Sequence, residues 1–97
     1  MAVKIICINK DGGNHENPYT AITDLGWINE NSQETGKSTR LEIYDFVKAG
    51  NQAYVKDAYG NKAYLITGIT ALGTKYVKTI PDDVKTDNLL KLPECRA

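Results

Sequence analysis

The hydrophobic and polar positions of this 97-residue chain change period about halfway along it. Residues 3–9 are apolar on both alternating faces at their centre, which predicts a strand inside a sheet. Apolar residues with the spacing of one helical face come next, at Pro18, Ala21, Ile22 and Leu25. Asn17 as N-cap and Gly26 as a left-handed stop bound this predicted first helix, and Trp27 is expected to anchor its end in the core.

A second helix is predicted after a polar, turn-rich connection at residues 29–37. Thr39 and Glu42 have the spacing of a capping box, in which each side chain bonds the backbone N–H of the other residue. The apolar positions that follow share one helical face, at Ile43, Phe46 and Val47. The pattern therefore predicts a helix over about residues 40–49, which Gly50 ends.

The second half of the chain has the period of β-strands. Residues 53–57, 62–70 and 74–80 alternate between apolar and polar positions, and glycine-containing turn signals separate them. They predict a three-stranded antiparallel meander. Within it Asp57 is expected opposite Lys62, because their opposite charges attract across the first turn.

Together these elements predict a small α+β domain in the order β-α-(β)-α-β-β-β. The sheet is expected to be mostly antiparallel, with two short helices packed on one of its faces. Residues 87–92 form at most one further helical turn before Pro93. Residues 1–97 make a single domain in this prediction, and residues 93–97 are a loose or docked tail.

The charge balance and the hydropathy of the chain limit the expected cellular location of the protein and the classes of partner that it can bind. Twelve basic residues balance twelve acidic ones, which removes the general electrostatic argument for a nucleic-acid or membrane partner but leaves local patches open. The longest apolar run, at residues 5–8, is too short to span a bilayer, and the N-terminus lacks the layout of a secretion signal. We therefore expect a cytoplasmic protein with no membrane partner.

The two cysteines are expected to be free thiols in that compartment. Cys7 lies within the first apolar strand, where it is predicted to be a small buried hydrophobic residue. A disulfide from Cys7 to Cys95 is the less favoured alternative, because reducing compartments rarely keep disulfides.

Short distinctive strings occur along almost the whole chain: Ile6-Cys7-Ile8, Asp11-Gly12-Gly13, His15-Glu16-Asn17-Pro18, Ala21-Ile22, Leu25-Gly26-Trp27, Gly73-Thr74-Lys75-Tyr76-Val77, and the segment from Asp87 to Cys95. In these strings the chain resembles a bacterial family known only as domain of unknown function 3892. The resemblance implies a single domain. It implies no activity, cofactor or site residue, because that family is uncharacterised.

The polar loop after the first strand contains the only histidine of the chain. Its glycines, Asn17 and Pro18 have structural explanations as turn, cap and helix start, which leaves Asn14, His15 and Glu16 as candidate binding residues. Asp87 and Asn88 are added as candidates that could converge with this loop. His15 as a general base, oriented by a carboxylate, is the enzyme alternative, although no catalytic residue is assigned.

A metal site on the same loop is a further alternative. Cys7, His15 and Cys95 are ligand types that suit zinc. A fourth ligand would have to be Asp11, Glu16 or Glu94, and no paired Cys-x-x-Cys spacing occurs. We therefore assign no metal and no cofactor.

The predicted meander carries a local excess of positive charge. Between Phe46 and Ile80 there are five lysines and the single acid Asp57. Tyr54, Tyr64 and Tyr76 lie on the same strands, and aromatic rings beside lysines are the usual means of stacking single-stranded bases. Ordinary solvent-facing strands explain the same residues, as does an edge strand that pairs with a protein.

The sequence thus predicts a small non-enzymatic binding or interaction module. Its partner is expected to be single-stranded nucleic acid or a protein, bound through the Lys/Tyr meander, with Lys75 and Tyr76 among the candidate residues. A small-ligand enzyme or metal site centred on the His15 loop is the alternative.

Overall fold

Three strands precede a single helix in the described part of the chain, and three follow it. The structure is a computed structural model that describes residues 2–11, 19–56, 60, 62–79, 89 and 92–95. The strands and the helix are β1 (Ala2–Lys10), β2 (Ile22–Ile28), β3 (Thr35–Thr39), α1 (Arg40–Lys48), β4 (Gln52–Lys56), β5 (Lys62–Ile69) and β6 (Lys75–Thr79).

The six strands form one mixed sheet in the order β3-β2-β1-β4-β5-β6. Neighbouring strands are antiparallel except β1 and β4, which run parallel with Lys4 opposite Tyr54. Since parallel strands need a crossover connection, α1 carries the chain from the β3 edge back to the centre of the sheet. The prediction of a mostly antiparallel sheet with a C-terminal meander is confirmed.

The helix at residues 40–49 is also confirmed, as α1. The capping box is formed: the N–H of Glu42 donates to the Thr39 hydroxyl at 3.2 Å, and the N–H of Thr39 donates to Oε1 of Glu42 at 2.9 Å. These contacts satisfy two backbone donors that the first turn of a helix leaves unpaired.

The predicted register of the meander is wrong by one residue, because Lys62 pairs with Lys56. Asp57, the partner that was expected for Lys62, lies outside the described residues. The described part of β4 ends at Lys56, and β5 begins at Lys62.

The helix predicted at residues 18–25 is wrong as far as the structure describes it. Ile22 and Leu25 are fully buried, but they lie on β2, which pairs with β1. The pairing shifts at Thr23, so β2 has one extra residue there. Such a bulge lets two residues three apart point to the same side of a strand, which imitates the spacing of a helical face. The described part of the chain therefore has one helix and not two.

Gly26 is likewise a strand residue and not a helix stop. It pairs with Cys7, and a Cβ added to it would overlap Sγ of Cys7 and lie 2.9 Å from Sγ of Cys95. These two sulfurs form a disulfide, with the Cα atoms 4.9 Å apart. The expectation of free thiols is therefore wrong. The less favoured pairing was correct, because the chain end returns to β1 across 88 positions of sequence.

Residues 93–95 lie along β1 beyond the point where β4 stops pairing with it. The N–H of Ile8 donates to the carbonyl of Pro93 at 3.0 Å, and the N–H of Cys95 donates to the carbonyl of Ile8 at 3.3 Å. Leu89 is fully buried in the core just before this segment. The disulfide and these bonds attach the chain end to the middle of the sheet.

The sheet curls around α1. The guanidinium of Arg40 donates to the carbonyls of Thr20 and Ile22 at 2.6 and 3.1 Å, and to the carbonyl of Lys75 at 2.9 Å. Three strands separate β2 from β6, so a flat sheet would hold them about 19 Å apart at about 4.8 Å per strand. The single side chain of Arg40 reaches both strands. The space that the curled sheet and α1 enclose is the hydrophobic core: Val3, Ile5, Ile8, Ile22, Leu25, Ile43, Tyr44, Ala53, Val55, Leu65, Val77 and Leu89.

Candidate functional site

Most of the predicted site residues lie outside the described part of the chain: Asn14, His15, Glu16, Asp87 and Asn88. Their convergence, and the enzyme or metal alternative that depends on it, therefore stay predictions. Only Lys75 and Tyr76 are described, both on β6.

Lys75 and Tyr76 do not form one site, because successive residues of a strand point to opposite faces. Nζ of Lys75 lies 5.4 Å from the ring centroid of Tyr44 on the helix side. The Tyr76 ring covers Gly68, where an added Cβ would lie 2.7 Å from the Tyr76 Oη. It also stacks on Tyr19 with the ring centroids 6.0 Å apart. The Tyr76 ring is therefore already packed against Gly68 and Tyr19.

A different group of residues comes together on the outer side of the sheet, away from α1. The buried neighbours of these residues, such as Val3, Val55 and Val77, face the core, so strand alternation turns their own side chains outwards. We name this surface the basic face and define it by Lys4, Tyr54, Lys56, Lys62, Tyr64 and Lys78. The strand pairings place Lys4, Tyr54 and Tyr64 in one row across β1, β4 and β5.

Tyr54 forms the centre of the basic face. It is only 4% exposed, and Nζ of Lys62 lies 4.5 Å from its ring centroid. The Tyr64 ring is tilted against it with centroids 5.9 Å apart. Its hydroxyl donates a hydrogen bond to Oε1 of Glu30, in the turn between β2 and β3. Burial, and then this carboxylate, raise the pKa of Tyr54 to about 12.

Glu30 is the acidic partner at the rim of the basic face. Besides the Tyr54 hydrogen bond, it forms an ion pair with Lys56 at 3.5 Å. The pKa of Glu30 is lowered, chiefly by the hydrogen bond from Tyr54 and further by the charges of Lys56 and Lys4. One carboxylate therefore faces several lysines, and β4, β5 and β6 contain no acidic residue.

The exposed part of the basic face has two kinds of chemistry. The Tyr64 ring is 39% exposed and presents a π surface, and Lys62 beside it presents an ammonium group. Together they can stack a flat aromatic group and attract a negative one.

Sequence reasoning missed two residues of this surface. Lys4 joins it because β1 and β4 are parallel neighbours, and Glu30 joins it through the β2–β3 turn. The positions of Lys4 and Glu30 in the sequence do not indicate that either residue lies next to Tyr54. Two lysines that were expected on this surface do not belong to it. Lys48 ends α1 on the other side of the sheet, and Lys75 faces Tyr44.

The described residues hold no group of three or more histidine, cysteine or acidic side chains that is arranged to bind a metal ion. Cys7 and Cys95 are bonded to each other, so neither presents a thiolate to a metal. The ligand set of Cys7, His15 and Cys95 thereby loses two of its three members in the oxidised protein. Within the same part of the chain no helix has the length and apolarity needed to cross a membrane.

Comparison with known proteins identifies one family. The sequence model of that family, described as "Protein of unknown function (DUF3892)", matches residues 4–93. No curated protein and no solved structure matches the chain at a significant level of similarity.

Proposed function

The chain belongs to the DUF3892 family of proteins of unknown function, and from its own surface we propose that it is a small non-enzymatic module that binds single-stranded nucleic acid on the basic face. The observation that carries the proposal is the cluster at Tyr54, in which Lys62 lies 4.5 Å above the ring and the partly exposed Tyr64 lies beside it.

The lysines provide the electrostatic part of the binding. Lys4 lies beside Tyr54, Lys62 lies over its ring, and Lys78 is on the same face opposite Ile66. Lys56 forms an ion pair with Glu30. Lysines that contact phosphates release condensed counterions, so affinity falls as salt rises, with a slope of about −0.7 per contact on single strands. Contacts by Lys4, Lys62 and Lys78 predict a slope of log K against log salt of about −2.

The tyrosines provide the stacking part. Tyr54 is buried and hydrogen-bonded to Glu30, so it forms the floor of the binding surface. The more exposed Tyr64 ring is the one that stacks on a base. Stacking of one base on an aromatic side chain contributes about 1 to 3 kcal/mol without selecting a particular base. The proposed ligand is therefore bound with little sequence preference.

The proposal includes the cytoplasmic location expected from the sequence. Reductants in that compartment keep most protein thiols reduced, so Cys7 and Cys95 are expected to be mainly thiols there and to form the disulfide under oxidising conditions.

The test is a titration of labelled oligo(dT) and oligo(rU) with the protein over a series of salt concentrations. Lys62→Ala is expected to weaken binding and to make the salt slope shallower by about 0.7. Lys48→Ala, which removes the same charge from the end of α1, is the matched control and is expected to leave both unchanged.

A second arm of the titration separates stacking from charge. Tyr64→Leu is expected to weaken binding about tenfold, and Tyr64→Phe is expected to keep the affinity, because the ring remains. Binding that is absent at low salt, or that Lys48→Ala weakens as much as Lys62→Ala, would refute the proposal.

A further inference from the structure

A cavity of about 250 Å³ opens between α1 and the sheet, on the opposite side from the basic face. Its lining comes from β1, β2, β3 and α1: Val3, Trp27, Ser38, Glu42, Ile43 and Phe46. We propose that this cavity binds a small organic cation with one aromatic ring, an arylalkylamine, with its ring between the apolar walls and its ammonium group on Glu42.

The apolar walls are preformed. Val3 and Ile43 are each 3% exposed and form the floor, and Trp27 and Phe46 pack on the core with part of their surface free. The indole of Trp27 rests on Gly36, where an added Cβ would lie 2.8 Å from its Cε2. A wall that is already ordered loses little conformational entropy when a ligand binds.

The polar atom of Trp27 is already satisfied. Its Nε1–H donates a hydrogen bond to Oγ of Ser38 at 3.1 Å, across the β2–β3 pair. The indole ring of Trp27 therefore presents apolar surface to a ligand, and the ligand does not have to supply a hydrogen-bond acceptor for Nε1–H. Together with Phe46 this favours a flat hydrocarbon ring as the inner part of the ligand.

The charge of the cavity comes from Glu42. Its Oε1 accepts the N–H of Thr39 at 2.9 Å, which fixes the carboxylate at the first turn of α1. A carboxylate has lone pairs on both oxygens, so it can hold this bond and accept from an ammonium group as well. Among the described residues the lining contains no cationic side chain, so it offers an anionic ligand no opposite charge.

The volume limits the ligand to one ring with a short chain. A cavity of about 150 Å³ accommodates benzene, and drug-sized ligands occupy sites of about 300 Å³ or more. The space observed here lies between these values. A phenyl ring with a two-carbon amine is thus a suitable probe, with an expected Kd of about a millimolar for so few atoms.

The experiment compares three ligands of matched shape: 2-phenylethylamine, 2-phenylethanol and phenylacetate. Trp27 is the only tryptophan in the chain, so its fluorescence and its indole N–H resonance report on this cavity alone. We expect a saturable change with the amine, about tenfold weaker binding of the alcohol, and no saturation with the carboxylate.

Glu42→Gln is the matched variant, because glutamine also completes a capping box and should preserve α1. It is expected to abolish the preference for the amine over the alcohol while leaving the melting temperature nearly unchanged. The proposal is overturned if the amine fails to saturate the Trp27 signals at ten times the expected Kd, or if the amine and the carboxylate bind equally. This outcome is independent of nucleic-acid binding, since the cavity and the basic face lie on opposite sides of the sheet.

Discussion

Tyr54 illustrates how one side chain serves both the stability and the chemistry of this protein. A tyrosine on the outer side of a strand is ordinarily exposed, but this ring is covered by Lys62 and Tyr64. The hydroxyl reaches Glu30, so its burial leaves no donor unsatisfied. The outer side of the sheet thus has a small core of its own beneath the lysines.

The raised pKa of Tyr54, about 12 against an ordinary 10.0, gives a prediction at high pH. The folded state retains the hydroxyl proton more strongly than the unfolded state does. The associated stability is therefore fully present below about pH 10 and is lost as the pH rises through 12. In a spectrophotometric titration Tyr54→Phe is expected to remove a tyrosine ionisation near pH 12. Persistence of that ionisation in the variant would assign it to another of the six tyrosines.

At the level of elements, Arg40 links parts of the sheet that do not pair with each other. It is the first residue of α1, and its guanidinium binds carbonyls next to and within β2 and at the start of β6. These carbonyls are close together only because the sheet curls around the helix. The capping box of Thr39 and Glu42 flanks Arg40 and fixes where α1 begins, and it so directs Arg40 towards these carbonyls.

Arg40→Ala is expected to destabilise the protein by about 3 kcal/mol. Three hydrogen bonds to a charged group are lost, each contributing about 1.5 to 3 kcal/mol when buried, but this site is exposed or half-buried and water replaces part of each bond. Urea unfolding measures the change. Lys48→Ala on the same helix is the control and should alter the free energy of unfolding by less than about 0.5 kcal/mol. Equal effects of the two substitutions would show that Arg40 acts only through its charge.

For the whole molecule, the Cys7–Cys95 disulfide closes nearly the full length of the chain into one loop. The sequence separation of 88 residues removes much conformational freedom from the unfolded state. The sulfurs fit only because Gly26 opposite them has no side chain. The chain end is in addition hydrogen-bonded to Ile8 and anchored by the buried Leu89.

Cys95→Ser is therefore expected to reduce the free energy of unfolding by about 4 to 5 kcal/mol, the loop-closure value for 88 residues. Thermal unfolding of the wild type with and without a thiol reductant provides the comparison. The reductant should lower the melting temperature of the wild type and leave that of Cys95→Ser unchanged. A wild type that is insensitive to reductant would contradict the stabilising role of the disulfide.

Several features were determined by the sequence itself, because they depend on residues close together in the chain. The capping box of Thr39 and Glu42 needs three positions, and α1 and the meander follow from local periods and turns. The sequence also predicts Tyr54 and Tyr64 on neighbouring strands of that meander, but the predicted register would place them on opposite faces, and only the observed pairing sets them side by side.

The tertiary structure alone decided the rest, because those contacts join distant segments. A bulge at Thr23 turned an apparent helical spacing into a strand, and the parallel pairing of β1 with β4 brought Lys4 to Tyr54. The return of the chain end to β1 made a disulfide of two cysteines that the sequence pattern left separate. Periodicity reports which side chains are buried, whereas the strand that covers them is chosen by the packing of the whole chain.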